Sequence, residues 1–221
     1  MNVVIILFFL FIIYSFLGWI LECIYNYFET GKLINRGFLI GPWIPIYGVG
    51  SLLIITFLTK YIAHPITLFV MACVICSTLE YFTSLIMEVI FKNRWWDYSH
   101  RKFNLNGRIC LETTIPFGLA GLGVCYLIEP ILMYFIGQIP FTVITIIVVI
   151  LALIFIVDLC VSFDIIINLK NVSKNIKVDS TEQITKKVKE ILTRKGFFSR
   201  RLIKAFPKMK IRLPKIKLKS K

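Results

Sequence analysis

Seven carboxylates lie in or at the edge of the apolar stretches of this chain: Glu22, Glu80, Glu88, Glu112, Glu129, Asp158 and Asp164. Hydrocarbon excludes ionisable groups unless they are paired or used. A carboxylate deep in an apolar helix must be protonated, paired or wetted by a cavity. Spacing strengthens the case. Gly18, Glu22 and Asn26 repeat at i, i+4, and so do Glu80, Ser84 and Glu88. Each set makes a polar stripe on one helix face, which should turn towards the interior of a bundle. Two connecting segments bring counter-charges. The first carries Asn35-Arg36-Gly37; the second carries Arg94-Trp95-Trp96-Asp97-Tyr98-Ser99 and, further on, Asn104, Asn106, Gly107 and Arg108. The chemistry expected of this set is binding of a cation or a small polar solute. Glu80 and Glu22 would hold it, with Glu88, Arg36, Arg94, Asp97, Tyr98, Asn104 and Arg108 completing the ligand-binding residues. Simpler roles stand beside this one. End-of-helix acids can be solvated, the tryptophans and Tyr98 can be headgroup anchors, and the arginines can set orientation.

The elements that must position these residues are helices in a membrane. Hydrophobic residues make up 57% of the chain and aromatics 14%. A soluble domain of this size has an exterior that must meet water and needs far less apolar surface. Residues 3–21 and 139–157 each run 19 residues without a charge. At the helical rise each covers roughly 28 Å, close to the hydrocarbon thickness. The expectation is an all-α polytopic membrane protein with about five spans, near 2–28, 43–62, 66–91, 111–136 and 140–168. Pro42, Pro45, Gly48 and Gly50 mark a start of the second span whose first turn is broken, and Pro130 is placed to kink the fourth. The first apolar run has no basic segment before it and no small-residue cleavage site after it, so it reads as a retained helix.

Charge divides the chain in two. Residues 1–168 carry 8 Lys/Arg against 9 Asp/Glu, whereas residues 169–221 carry 18 against 3. Lys/Arg counts in short loops set orientation. With the N-terminus outside and the C-terminus cytoplasmic, 25 of the 26 basic residues fall inside, leaving Lys60 outside. In that orientation every intramembrane acid except Glu129 sits towards the cytoplasmic face. The tail, 169–221, is expected to contain an amphipathic helix at about 181–195, with Ile184, Val188, Ile191 and Leu192 on one face. Beyond it, bases and apolar residues nearly alternate. That pattern suits anionic phospholipid, at about 1 kcal/mol per base near the surface, better than nucleic acid. The six cysteines lie in or beside apolar segments and read as free thiols; no metal-ligand spacing and no cofactor motif accompanies them.

Two segments share a pattern: Asn35-Arg36-Gly37 before Ile44-Pro45-Ile46-Tyr47-Gly48, and Asn106-Gly107-Arg108 before Ile115-Pro116-Phe117-Gly118. Each follows an acid-bearing helix and precedes a proline-containing helix start. Two parallel hairpins related by an axis along the membrane normal would account for it.

These residues also carry a resemblance. Tyr14-Ser15-Phe16-Leu17-Gly18-Trp19-Ile20-Leu21-Glu22, the 35–50 segment, and Glu80 followed by Arg94–Ser99, Phe103-Asn104 and Gly107–Leu111 resemble the bacterial family called putative ABC-transporter type IV. The likeness covers about residues 10–125 and leaves out the basic tail. It departs at 112–118, where Phe117 takes the place of an expected Trp. The resemblance implies a permease-like integral protein of the bacterial plasma membrane. No G-x-x-x-x-G-K-[ST] phosphate loop occurs, so any ATPase would be a separate subunit. Five helices are few for a complete transporter, which makes a homo-oligomer or a partner subunit the expectation. Two other classes stay open: a membrane enzyme acting on a lipid or polyprenyl-phosphate headgroup at the inner leaflet, and a non-catalytic scaffold. No nucleophile motif is present, so no catalytic residue is assigned.

Overall fold

The computed structural model describes residues 2–32, 35, 37–91, 93–174, 201 and 210–211. The chain is mostly helical with little sheet. Helix α1 (Val3–Thr30) opens on Asn2, whose side chain accepts the Val4 N–H at 3.0 Å. It closes on Gly31, left-handed at φ 68°, whose N–H reaches the Tyr27 carbonyl. Helix α2 (Pro45–Leu58) has 14 residues and runs into a single 3₁₀ turn, Thr59–Tyr61. Helix α3 is Pro65–Phe91. Helix α4 (Leu111–Gly123) passes through a π turn (Val124–Ile128) into α5 (Glu129–Gln138), and α6 is Phe141–Lys174.

Four of these units are long and apolar enough to cross a membrane: Val3–Thr30, Pro65–Phe91, Leu111–Gln138 and Phe141–Asp164. The second expected span is present as the shorter apolar helix Pro45–Tyr61. It starts at Pro45 and not at 43. Ile44 is extended, at φ −123°, and Pro45 occupies the first helical position, where a missing N–H does no harm. Pro130 sits just after the π turn. A proline within a helix removes one N–H donor, and the wider turn before it absorbs the misfit as a bulge. Helix α6 continues to Lys174, beyond the boundary expected at 168. The expected tail helix at about 181–195 lies outside the described residues.

Close approach of α1 and α2 depends on small residues. A Cβ on Gly48 would stand 2.6 Å from the Phe11 carbonyl oxygen and would collide with Ser15 Oγ. The main core fills the space between helices with Ile6, Leu10, Ile54, Leu68, Val124 and Ile144. A smaller cluster joins Ile12, Leu39 and Trp43 to Phe8, Phe11 and Phe155. Outward faces stay apolar, as at Leu153 and Val157 on α6, which suits helices surrounded by lipid.

Candidate functional site

The segment between α3 and α4 folds into a hairpin. Strand β1 is Asn93–Arg94; β2 (Asn104–Leu105) pairs antiparallel with β3 (Ile109–Cys110). The turn joining them holds Asn106 and Gly107 at φ 54° and 64°. Both central residues are left-handed, which is what an Asn-Gly turn between antiparallel strands supplies. A side chain on Gly107 would be strained by its φ and would stand 2.7 Å from Asp97 Oδ1. Asn104 builds this turn: its Oδ1 accepts the Gly107 N–H and its Nδ2 donates to the Arg101 carbonyl. The Tyr98 N–H donates to the Gly107 carbonyl at 2.8 Å, and Trp96 Nε1 donates to the Arg108 carbonyl at 3.1 Å. The turn therefore fixes Arg94, Tyr98 and Arg108 against the end of α3.

Two arginines and two acids share a buried hub. Glu88 Oε2 accepts from Arg108 Nη2 at 2.8 Å and from Arg94 Nε at 3.3 Å. Arg94 Nη1 also meets Asp97 Oδ1 at 3.3 Å, and its Nη2 donates to the Asn106 carbonyl at 3.0 Å. Arg108 Nη1 donates to Ser84 Oγ at 3.0 Å, and its guanidinium lies 5.7 Å from the centre of the Tyr81 ring. Both arginines are more than nine-tenths buried. Charges in this hub cancel in number, and each guanidinium has several acceptors, the condition under which a buried ion pair is tolerated.

Further along α3 the environment changes. Glu80 is 6% exposed. Its Oε1 accepts from the Tyr98 phenol at 3.3 Å, and its Oε2 has no hydrogen-bond partner among the described residues. Thr113 is close by, but its hydroxyl donates to the Cys110 carbonyl at 2.9 Å. On the neighbouring pair of helices, Tyr47 donates to Glu22 Oε1 at 2.7 Å. Glu22, Glu80, Tyr47 and Tyr98 lie within electrostatic range of one another. Burial, with the Glu80 carboxylate beside it, raises the pKa of Tyr98 well above that of an ordinary phenol, so it stays a donor at any physiological pH. One turn away on the same face, Ser77 Oγ and Thr114 Oγ1 are 2.9 Å apart. The site is thus a carboxylate–phenol cluster set beside an arginine hub.

The structure brings together Glu22, Glu80 and Tyr98 in one cluster and Glu88, Arg94, Asp97 and Arg108 in the other, with Asn104 shaping the turn between them. Arg36 lies outside the described residues. Tyr47 belongs with the first group and is absent from the set read from sequence. Tyrosine near a helix end ordinarily signals a headgroup anchor, and nothing local marks this one as the partner of an acid on another helix. The remaining acids have separate roles. Glu112 makes an exposed pair with Arg101 at 2.7 Å. Glu129 Oε2 accepts from Tyr14 at 2.7 Å. Asp164 is exposed on α6.

Asp158 is a structural staple. Its Oδ1 accepts from the Ile40 N–H at 2.9 Å and from Ser162 Oγ at 3.0 Å. Its Oδ2 accepts from the Gly41 N–H at 2.8 Å and from Trp43 Nε1 at 2.6 Å. The irregular segment before α2 is thereby tied to α6, and its backbone groups are satisfied where regular structure is missing.

No curated protein and no solved structure matches the chain. The helical content, the long apolar spans and the buried polar clusters are those of a multi-pass membrane protein. A family model described as putative ABC-transporter type IV matches residues 9–163, and the chain belongs to that family.

Proposed function

We propose that this protein is a permease-like membrane component. In this reading Glu22, Glu80, Tyr47 and Tyr98 bind a cation or a small polar solute that enters from the cytoplasm. Support comes from one observation above the others: Glu80 is buried, yet its Oε2 has no hydrogen-bond partner among the described residues. Leaving a buried carboxylate oxygen unpaired costs about 1–3 kcal/mol or more, which a bound ligand donor or cation would recover. Glu88, Arg94, Asp97 and Arg108 then act as a rigid frame, with Asn104 shaping the turn beside the cluster. The Lys/Arg asymmetry supports a five-span arrangement with the N-terminus outside, which turns both clusters towards the cytoplasm. A proline at the first position of α2 and another in the second turn of α4, each after an acid-bearing helix, support a repeat of two parallel hairpins. Transport would require a separate ATPase subunit or a second copy of the chain, and the basic tail would rest on anionic phospholipid of a bacterial plasma membrane.

Glu80→Gln tests the reading. The protein in nanodiscs is titrated with monovalent cations, protonated amines and neutral polar solutes while its melting is followed. At least one should raise the Tm of the native chain, and the substitution should abolish that shift while leaving the ligand-free Tm unchanged or higher. A native shift that survives in Glu80→Gln, or no shift with any probe, overturns it. Orientation is tested by Ser99→Cys in a background without the native cysteines. That thiol should resist impermeant reagents in intact cells, and rapid labelling would reverse the topology.

A further inference from the structure

The segment before α2 presents its two sides to opposite charges. On one side, Asp158 takes the N–H groups of Ile40 and Gly41. On the other, the carbonyls of the same two peptide units, Leu39 and Ile40, accept from the guanidinium of Arg201 at 2.5 and 3.0 Å. Gly37 and Phe38 add carbonyls at 3.0 and 3.4 Å. Two peptide units therefore lie between a carboxylate and a guanidinium with their dipoles aligned to both. A carboxylate on the N–H side polarises the amide and strengthens its carbonyl as an acceptor. Four carbonyls converging on one point call for an occupant with several donors and a positive charge. A planar guanidinium presents its paired terminal nitrogens in a fixed fork, which an ammonium cannot match; here Nη1 and Nη2 make all four contacts, and Nε has no partner among the described residues. Burial lowers the pKa of Arg201 from its ordinary value, and Asp158 works against that shift.

A second contact lies nine residues further on. Strand β4 (Lys210–Ile211) pairs antiparallel with β1, placing Lys210 opposite Arg94 and Ile211 opposite Asn93. The basic segment thus touches both connecting loops that frame the polar clusters.

We propose that the carbonyls of residues 37–40 form a guanidinium-binding site whose built-in ligand is Arg201. Docking there holds the C-terminal segment against the loop that Asp158 staples. The same segment belongs to a region with 18 Lys/Arg against 3 Asp/Glu, which an anionic leaflet attracts. Anionic lipid and the carbonyl site therefore compete for one stretch of chain, and the docked state is reversible. This inference stands whether or not the carboxylate–phenol cluster binds a solute.

Arginine footprinting tests it. The full chain in nanodiscs of neutral phosphatidylcholine is treated with phenylglyoxal, and modification of Arg201 is followed by mass spectrometry. A synthetic peptide of residues 195–221 gives the rate for the free side chain. Arg201 should react at least about tenfold more slowly in the protein, corresponding to about 1.4 kcal/mol of docking. Guanidinium chloride below denaturing concentration should restore the rate, and sodium chloride at equal ionic strength should not. Nanodiscs rich in phosphatidylglycerol should also restore it. Equal rates in protein and peptide overturn the site. Equal effects of the two salts overturn its preference for guanidinium, and undiminished protection in anionic nanodiscs overturns the competition with lipid.

Discussion

Replacing Asp158 by Asn keeps shape and removes charge, so it isolates what the carboxylate does. The native group accepts four hydrogen bonds, two on each oxygen. An amide offers one acceptor oxygen and one donor nitrogen. Turned with its oxygen towards Gly41 and Trp43, it keeps those two bonds and lets Ser162 reverse its hydroxyl, but its NH₂ then faces the Ile40 N–H. The Ile40 N–H then keeps only its longer bond to Ser162 Oγ, at 3.2 Å, a loss of about 0.5–1.5 kcal/mol. The two surviving bonds fall from charge-assisted to neutral, a further loss of about 1 kcal/mol or more. The sum is about 1.5–2.5 kcal/mol. The opposite amide orientation leaves two donors, Gly41 N–H and Trp43 Nε1, facing NH₂, so it is worse. Reversible unfolding of native and Asp158→Asn protein by SDS in mixed bicelles measures the difference. A change below about 0.5 kcal/mol would refute the staple, because no arrangement of an amide can replace all four bonds that the carboxylate accepts.

Three further outcomes follow from the packing. Glu88→Gln leaves two buried guanidiniums with less negative charge and should destabilise by about 3 kcal/mol. A cycle with Arg108→Gln should show coupling of about 1 kcal/mol or more in the same assay, and simple additivity would dismiss the hub as an energetic unit. Gly48→Ala forces a methyl against the Phe11 backbone and Ser15. It should cost about 1–3 kcal/mol, read as a lower melting temperature in nanodiscs, and a neutral effect would mean that α1 and α2 are less tightly packed than described. Tyr14→Phe removes the donor to Glu129; polar contacts between membrane helices average about 0.6 kcal/mol, so a loss between about 0.5 and 2 kcal/mol is expected from unfolding curves.

The helices were legible in the sequence because uncharged runs of 19 residues leave the backbone few alternatives in a bilayer. The all-α expectation passed over the Asn106-Gly107 pair, a hairpin signal that accounts for the turn fixing Tyr98 and Arg108. What local pattern could not convey is who meets whom. Glu80 and Glu88 lie on one stripe, yet they are separated by about 80° around α3 and about 12 Å along it. That offset is enough for one to meet two arginines and the other a phenol and a vacant acceptor position. Asp158 is one of the end-of-helix acids for which solvation was the simpler of two roles. Three of its four partners lie 115 to 118 residues earlier, and no short-range spacing records those contacts. Tyr47 escaped notice for the same reason, since its acid is 25 residues away on the preceding helix.

The π turn at Val124–Ile128 also decides where an acid points. A bulge adds one residue to a helical circuit, and each residue of an α-helix turns the chain by about 100°. Winding the same five residues at ordinary pitch would swing Glu129 about a quarter-circle away from the Tyr14 hydroxyl. The widened turn thus works as a rotational offset, aiming a costly side chain at its donor while the rest of the helix keeps a greasy exterior.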